Sequence, residues 1–197
     1  MSLYMPAHFA AGRAAAYTLI DAHPFATLIT AVDGEPPRVS HLPLLLDGEA
    51  LVGHMARPNP HWQCFAQGST IAVFHGPHGY VSPRWYAEPA RSVPTWNYAT
   101  VHIGGRPQLL PGGDDARDSL LKLTSRFDPQ WQADPAMVDR LLPGIVAFRM
   151  PIASCQTKFK MSQNKTAEDR HCVIAGLLAA GTAEASGLAR CMRGADV

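Results

Sequence analysis

The sequence predicts a mainly β fold, an α+β arrangement in which antiparallel strands form a small barrel with peripheral helices. Three observations carry that prediction. Short apolar, β-branched runs recur along the chain, as in FATLITAV, STIAVFHG and IVAFRMPIASCQTKFKM. Most are joined by turns too short for the crossover helices of a parallel sheet. Seventeen prolines and sixteen glycines in 197 residues supply the punctuation of many short elements.

Taken in order, AAGRAAAYTLIDAHP reads as a helix that Pro24 ends. FATLITAV follows as a strand. RVSHLPLLL and ALVGHM flank Asp47–Gly48, a two-residue hairpin signal. With that loop Leu46 faces Glu49, and His41 stands opposite His54. In GHMARPNPHW a strand gives way to a short helix ending near Ala66, with Asn59 as N-cap and Pro60 at its first position. STIAVFHG is the next strand. PHGYVSPRWYAEPARSVP then reads as a long connection rich in proline and aromatics.

TWNYATVHIGG is a strand that breaks at Gly104–Gly105. Its alternation puts Trp96, Tyr98, Thr100 and His102 on one face and Asn97, Ala99, Val101 and Ile103 on the other. Asn97 is the residue of poor strand propensity in that row. GDDARDSLLKLTSRFD is a helix that turns Leu120, Leu121, Leu123 and Phe127 toward the core, and PAMVDRLLPG is a shorter one. A strand through Met161 leads to a capping box, Thr166 with Asp169, before the closing helix AEDRHCVIAGLLAA. Residues 3–180 read as one domain and residues 181–197 as a loose tail without bulky apolar residues.

The formal charge of +1 provides no global field toward nucleic acid or an anionic membrane. Cys64, Cys155, Cys172 and Cys191 have neither redox-pair nor zinc-ribbon spacing. With no secretory signal or membrane-length apolar run, a cytoplasmic location is expected. Nucleotide-binding glycine signatures, nucleophile elbows and helix-turn-helix patterns are absent.

Three constellations remain. In GHMARPNPHW, Arg57 beside a helix start suits a terminal phosphate, although capping alone explains Asn59. In TKFKMSQNK, Lys158 and Lys160 share a strand face, and Gln163 and Asn164 follow with amides suited to the polar edge of a heterocycle. A solvated charged turn explains the same residues. His75 and His78 straddle a Gly-Pro pair with no carboxylate motif, a pattern better suited to turn hydrogen bonds than to a metal.

LYMPAHF, AHPFATLIT, HLPLLLD, GHMARPNPHW, FHGPHGYVSPRWY, VPTWNYATVHIGG and KFKMSQNK, in that order, resemble the PaiB family of FMN-binding negative transcriptional regulators. The resemblance runs from Leu3 to about Ala180. It implies a flavin-binding split barrel related to pyridoxamine-phosphate oxidases and flavin reductases, with FMN as cofactor at the interface of a homodimer. It also implies a regulatory role on DNA, which neither charge nor motif supports independently. Carried onto this sequence, Arg57 and Asn59 hold the FMN phosphate, and His41 and His54 border the ribityl chain. Trp96, Asn97 and Tyr98 contact the isoalloxazine or the adjoining wall, and Lys160, Gln163 and Asn164 close the site. An FMN-dependent oxidoreductase and a haem-binding split barrel are the alternative readings.

Overall fold

A computed structural model describes residues 3–194. It contains eight strands: β1 (Phe25–Ala31), β2 (Arg38–Pro43), β3 (Leu45–Leu46), β4 (Ala50–Ala56), β5 (Ser69–Val81), β6 (Thr95–Gly105), β7 (Gln108–Leu109) and β8 (Ile145–Lys160). Five α-helices accompany them: α1 (Arg13–Ala22), α2 (Asp114–Phe127), α3 (Pro135–Leu141), α4 (Ala167–Ala180) and α5 (Ala183–Gly194). The strands hydrogen-bond in the order β2-β1-β5-β6-β8-β4-β3, with β7 beside β8. This is the antiparallel split-barrel arrangement that the strand pattern predicts. No helix among the described residues is long and apolar enough to cross a membrane.

The chain divides into two compact units. One gathers the residues up to Ala16, His75–Val101, and Gln156 onward. The other, Tyr17–Phe74 with His102–Cys155, is called the hairpin unit below because it holds the β1–β2 and β3–β4 hairpins. The first is called the terminal unit.

In the hairpin unit, β1 pairs with β2 and β5 so that Ala26, Leu28 and Thr30 turn inward. Ala50, Leu51, Val52 and Met55 of β4 are buried with Phe148 and Met150 of β8. The β3–β4 register differs from the sequence reading. Leu46 pairs with Leu51, and the Asp47 N–H donates to the Ala50 carbonyl at 2.9 Å. The two central turn residues are therefore Gly48 and Glu49, with Gly48 at φ 59°. That places glycine first, as a type II′ turn requires, rather than second. The shift and the pairing of β2 with β1 separate the two histidines expected to face each other. His41 stands opposite Thr27, and His54 opposite Ala147.

Three further expectations need correction. β5 runs on through Pro77 to Val81, so the start of the expected long connection is strand, followed by two single 3-10 turns. In α2 the residues that bury fully are Ala116 and Ser119, and Phe127 is 55% exposed. The stretch expected to be a loose tail forms α5 over Ala183–Gly194, with Leu188, Ala189 and Met192 fully buried. Its last three residues lie outside the described region. Small residues there do not mean weak packing: alanine and glycine let α5 approach closely, and two long side chains anchor it.

Candidate functional site

In the hairpin unit, the turn after β4 gathers Arg57, Asn59 and His61. Asn59 caps the 3-10 helix Pro60–Cys64 as predicted, its Oδ1 accepting from the His61 N–H at 3.1 Å. Its Nδ2 donates to Ser40 Oγ at 2.9 Å. Ser40 Oγ lies 2.8 Å from His61 Nδ1, and His61 Nε2 lies 2.8 Å from Thr30 Oγ1. Thr30 Oγ1 in turn sits 2.8 Å from Thr70 Oγ1. Because Asn59 donates to Ser40, the Ser40 hydroxyl hydrogen is free to meet Nδ1, and the ring proton sits on Nε2. The result is a directed chain, Asn59 to Ser40 to His61 to Thr30 to Thr70, with its last four members buried. Burial, reinforced by the charge of Arg38, holds the His61 pKa below the usual histidine value. The place of His61 between two strand hydroxyls is not visible in one dimension.

Arg57 is fixed through its Nε to the Pro143 carbonyl at 2.6 Å and through Nη2 to the Ile145 carbonyl at 2.8 Å. Arg57 also lines a cavity of about 450 Å³ together with Trp62, Leu110, Leu142 and Ala147. The first N–H after Pro60 is taken by Asn59, so it does not join a phosphate cradle. His41 is exposed, 3.1 Å from Thr27 Oγ1, and stacks on Phe25. His54 is half-buried, its Nδ1 lacks a partner, and desolvation lowers its pKa. Thus Arg57 and Asn59 lie at one turn, whereas His41 and His54 sit on strands that do not pair with each other.

The terminal unit holds the other predicted residues. Trp96 and Tyr98 point to an open face of β6, where they line a cavity of about 300 Å³ with His75 and His78. The His78 ring stacks on Trp96, with centroids 5.9 Å apart. Asn97 points the other way, as alternation requires, and is fully buried. Its Nδ2 donates to Ser162 Oγ at 2.9 Å and contacts Met192 Sδ of α5 at 3.6 Å, while its Oδ1 has no partner. Of the two contacts expected for Asn97, the isoalloxazine or the adjoining wall, neither lies on the face shared by Trp96 and Tyr98, because one strand does not present three consecutive residues to one face.

Two lysines of β8 contact β6 at these residues. The Lys158 side chain is 6% exposed, and its Nζ donates to the Tyr4 carbonyl at 2.8 Å. The same ammonium lies 5.2 Å from the Tyr4 ring centroid and 5.4 Å from that of Tyr98. Lys160 Nζ donates to Thr95 Oγ1 at 2.5 Å and to the Trp96 carbonyl at 2.6 Å. Desolvation, and then the charge of Lys158, lower the Lys160 pKa. Among the described residues no carboxylate lies within ion-pair distance of either lysine. Gln163 closes its own turn, donating to the Phe159 carbonyl at 2.5 Å and accepting from the Met161 N–H at 2.7 Å. Asn164 is exposed. Ser162 turns inward with φ 62°, a left-handed backbone uncommon outside glycine.

These features fit a flavin phosphate ester in their chemistry. Exposed flat rings suit a planar heterocycle, and cations without carboxylate partners suit an anion. Among the described residues, no group of three or more metal-ligating side chains competes with that reading.

Comparison with known proteins agrees. Residues 3–154 match the family described as "Putative FMN-binding domain". The chain is 31% identical over 186 residues to protease synthase and sporulation protein PAI 2 of Bacillus subtilis (strain 168), covering 87% of each chain. In fold it is similar to the FAD and heme binding protein of Mycobacterium smegmatis, with TM-score 0.62 and 23% identity over 87% of this chain and 78% of that one. It is similar also to the flavocytochrome Anf3 of Azotobacter vinelandii, with TM-score 0.61 and 15% identity over 81% and 73%. The chain thus belongs to the PaiB-like family of FMN-binding split-barrel proteins, and its cofactor is FMN.

Proposed function

We propose that this chain is an FMN-dependent redox sensor serving gene regulation, cytoplasmic and homodimeric, with FMN bound at the subunit interface. The observation that carries the sensing role is how the polar side chains around the predicted positions are held. Arg57, Lys160 and Gln163 are each tied to backbone carbonyls of the chain itself. A group fixed in this way binds and orients, but it is poorly placed to shuttle protons for a substrate. The similarity to PAI 2, whose name refers to protease synthesis and sporulation, supports a regulatory setting.

In this reading Arg57 takes the phosphate, and Asn59 shapes the turn that carries it. Trp96 and Tyr98 support the ring, and Lys160 supplies positive charge to it. The test is the visible spectrum of the purified protein, with mass identification of what denaturation releases. FMN at one per chain in a particle of dimer mass by light scattering is the expected result. Arg57→Ala is expected to weaken FMN about tenfold while riboflavin binding changes little, since charge-assisted hydrogen bonds contribute about 1.5–3 kcal/mol. Equal losses for both ligands would remove Arg57 from the phosphate site. Sustained oxidation of a reduced nicotinamide would replace the sensor with an oxidoreductase.

A further inference from the structure

Among the described residues, Lys158 and Lys160 form a cation pair without a carboxylate partner. They lie two apart on one strand, Lys158 Nζ sits over the Tyr98 ring and Lys160 Nζ binds the Trp96 carbonyl, and no described carboxylate pairs with either. Elsewhere the chain pairs its cations readily: Asp47 alone serves both Lys122 and Arg149. A buried cation without a counter-ion is costly, and the cost is offset when an anion arrives. At Lys158 only a carbonyl and two tyrosine ring faces stand in for that anion.

FMN offers two forms of different charge to such a pair. The oxidised ring is neutral. A hydride from a reduced nicotinamide brings two electrons and one proton, so the ring that accepts it carries one negative charge, and the donor leaves as its oxidised cation. Phosphate charge is common to both forms and does not distinguish them. We propose that Lys158 and Lys160 make this protein bind reduced, anionic FMN more tightly than oxidised FMN, so that the cation pair is the element that reads the redox state. This rests on the FMN reading above and adds the direction of the response. A ligand shifts a two-state protein only by its differential affinity, and here the difference resides in two named side chains. His75 and His78 share the open face, and both are able to donate hydrogen bonds to the same ring.

The experiment titrates the full-length protein with oxidised FMN in air and with hydride-reduced FMN under argon, following flavin fluorescence and absorbance. The wild type is expected to hold the reduced form about tenfold or more tighter, in line with one charge-assisted contact. Lys160→Met is expected to lose most of that preference, and Lys160→Arg, which keeps the charge, to retain it. Lys158→Met tests the second cation. Because Lys158 is buried, Lys160→Met, at a half-exposed position, remains decisive if that variant folds poorly. Reduced flavin on the wild type is expected to show the absorbance of its anionic form below the pH at which free reduced FMN loses its proton.

Equal affinity for the two forms, or a preference that survives Lys160→Met unchanged, overturns the proposal while leaving FMN binding intact. Failure to bind FMN in either form overturns the FMN reading itself, and the proposal falls with it.

Discussion

The His61 chain in the hairpin unit and Lys158 in the terminal unit are both buried polar constructions, and they are balanced differently. Around His61 each hydroxyl and ring nitrogen hands a hydrogen to the next, from Asn59 to Thr70. Around Lys158 the donors outnumber the acceptors, and among the described residues the charge has no carboxylate partner. Asn97 in the same unit repeats the imbalance with an unpartnered Oδ1. A closed network holds strands together and asks nothing of a ligand. An open one sacrifices stability and keeps capacity for something that is bound.

The largest test of that contrast is His61→Ala. It removes a buried ring and strands two hydroxyls, so a loss of about 3 kcal/mol or more is expected in urea unfolding. A loss below about 1 kcal/mol would mean the chain is not the staple its geometry suggests. Gly176→Ala comes next. A Cβ there would run into the Trp85 ring, so overpacking of about 1–3 kcal/mol is expected in the terminal unit. Asn97→Ala is expected to cost only about 1 kcal/mol, because the lost bond to Ser162 is partly offset by removing the orphaned oxygen. For Lys158→Met a change of less than about 1 kcal/mol is expected, since an apolar side chain of similar length replaces a charge that burial penalises.

The smallest expected effect is a pH dependence. His61 and His54 both have folded pKa values below the unfolded value of 6.5. Their contribution is therefore full above pH 6.5 and is lost as pH falls through the folded values. Urea midpoints measured from pH 7.5 down to pH 5 are expected to fall, and His61→Gln is expected to flatten that descent. A midpoint independent of pH over this range would show that neither histidine titrates with unfolding.

Much of this organisation was legible before any coordinates. The strand alternation of Thr95–Ile103 separated Asn97 from Trp96 and Tyr98, and Asn59–Pro60 announced a capped turn. The hairpin was located correctly but missed by one step, because Asp-Gly signals a tight turn without fixing which of its two central positions the glycine takes. Pro77 looked like a strand stop, yet β5 continues through it, since proline removes a donor without preventing an extended backbone. The His61 chain was invisible because its members come from four separated segments. So was the burial of Asn97, which depends on Met192, 95 residues away. Long-range partners of that kind leave no local period to read.

The course of β8 also bears on how the protein is to be cut and fused. The family match ends at residue 154, but the strand it enters continues to Lys160, and Leu188 and Met192 lie buried further along the chain. A fragment trimmed at the homology limit would stop inside a strand and discard the residues that cover Asn97. Expression boundaries for this chain, and for relatives of similar length, are set by where the backbone finishes its hydrogen bonds rather than by where the sequence likeness fades.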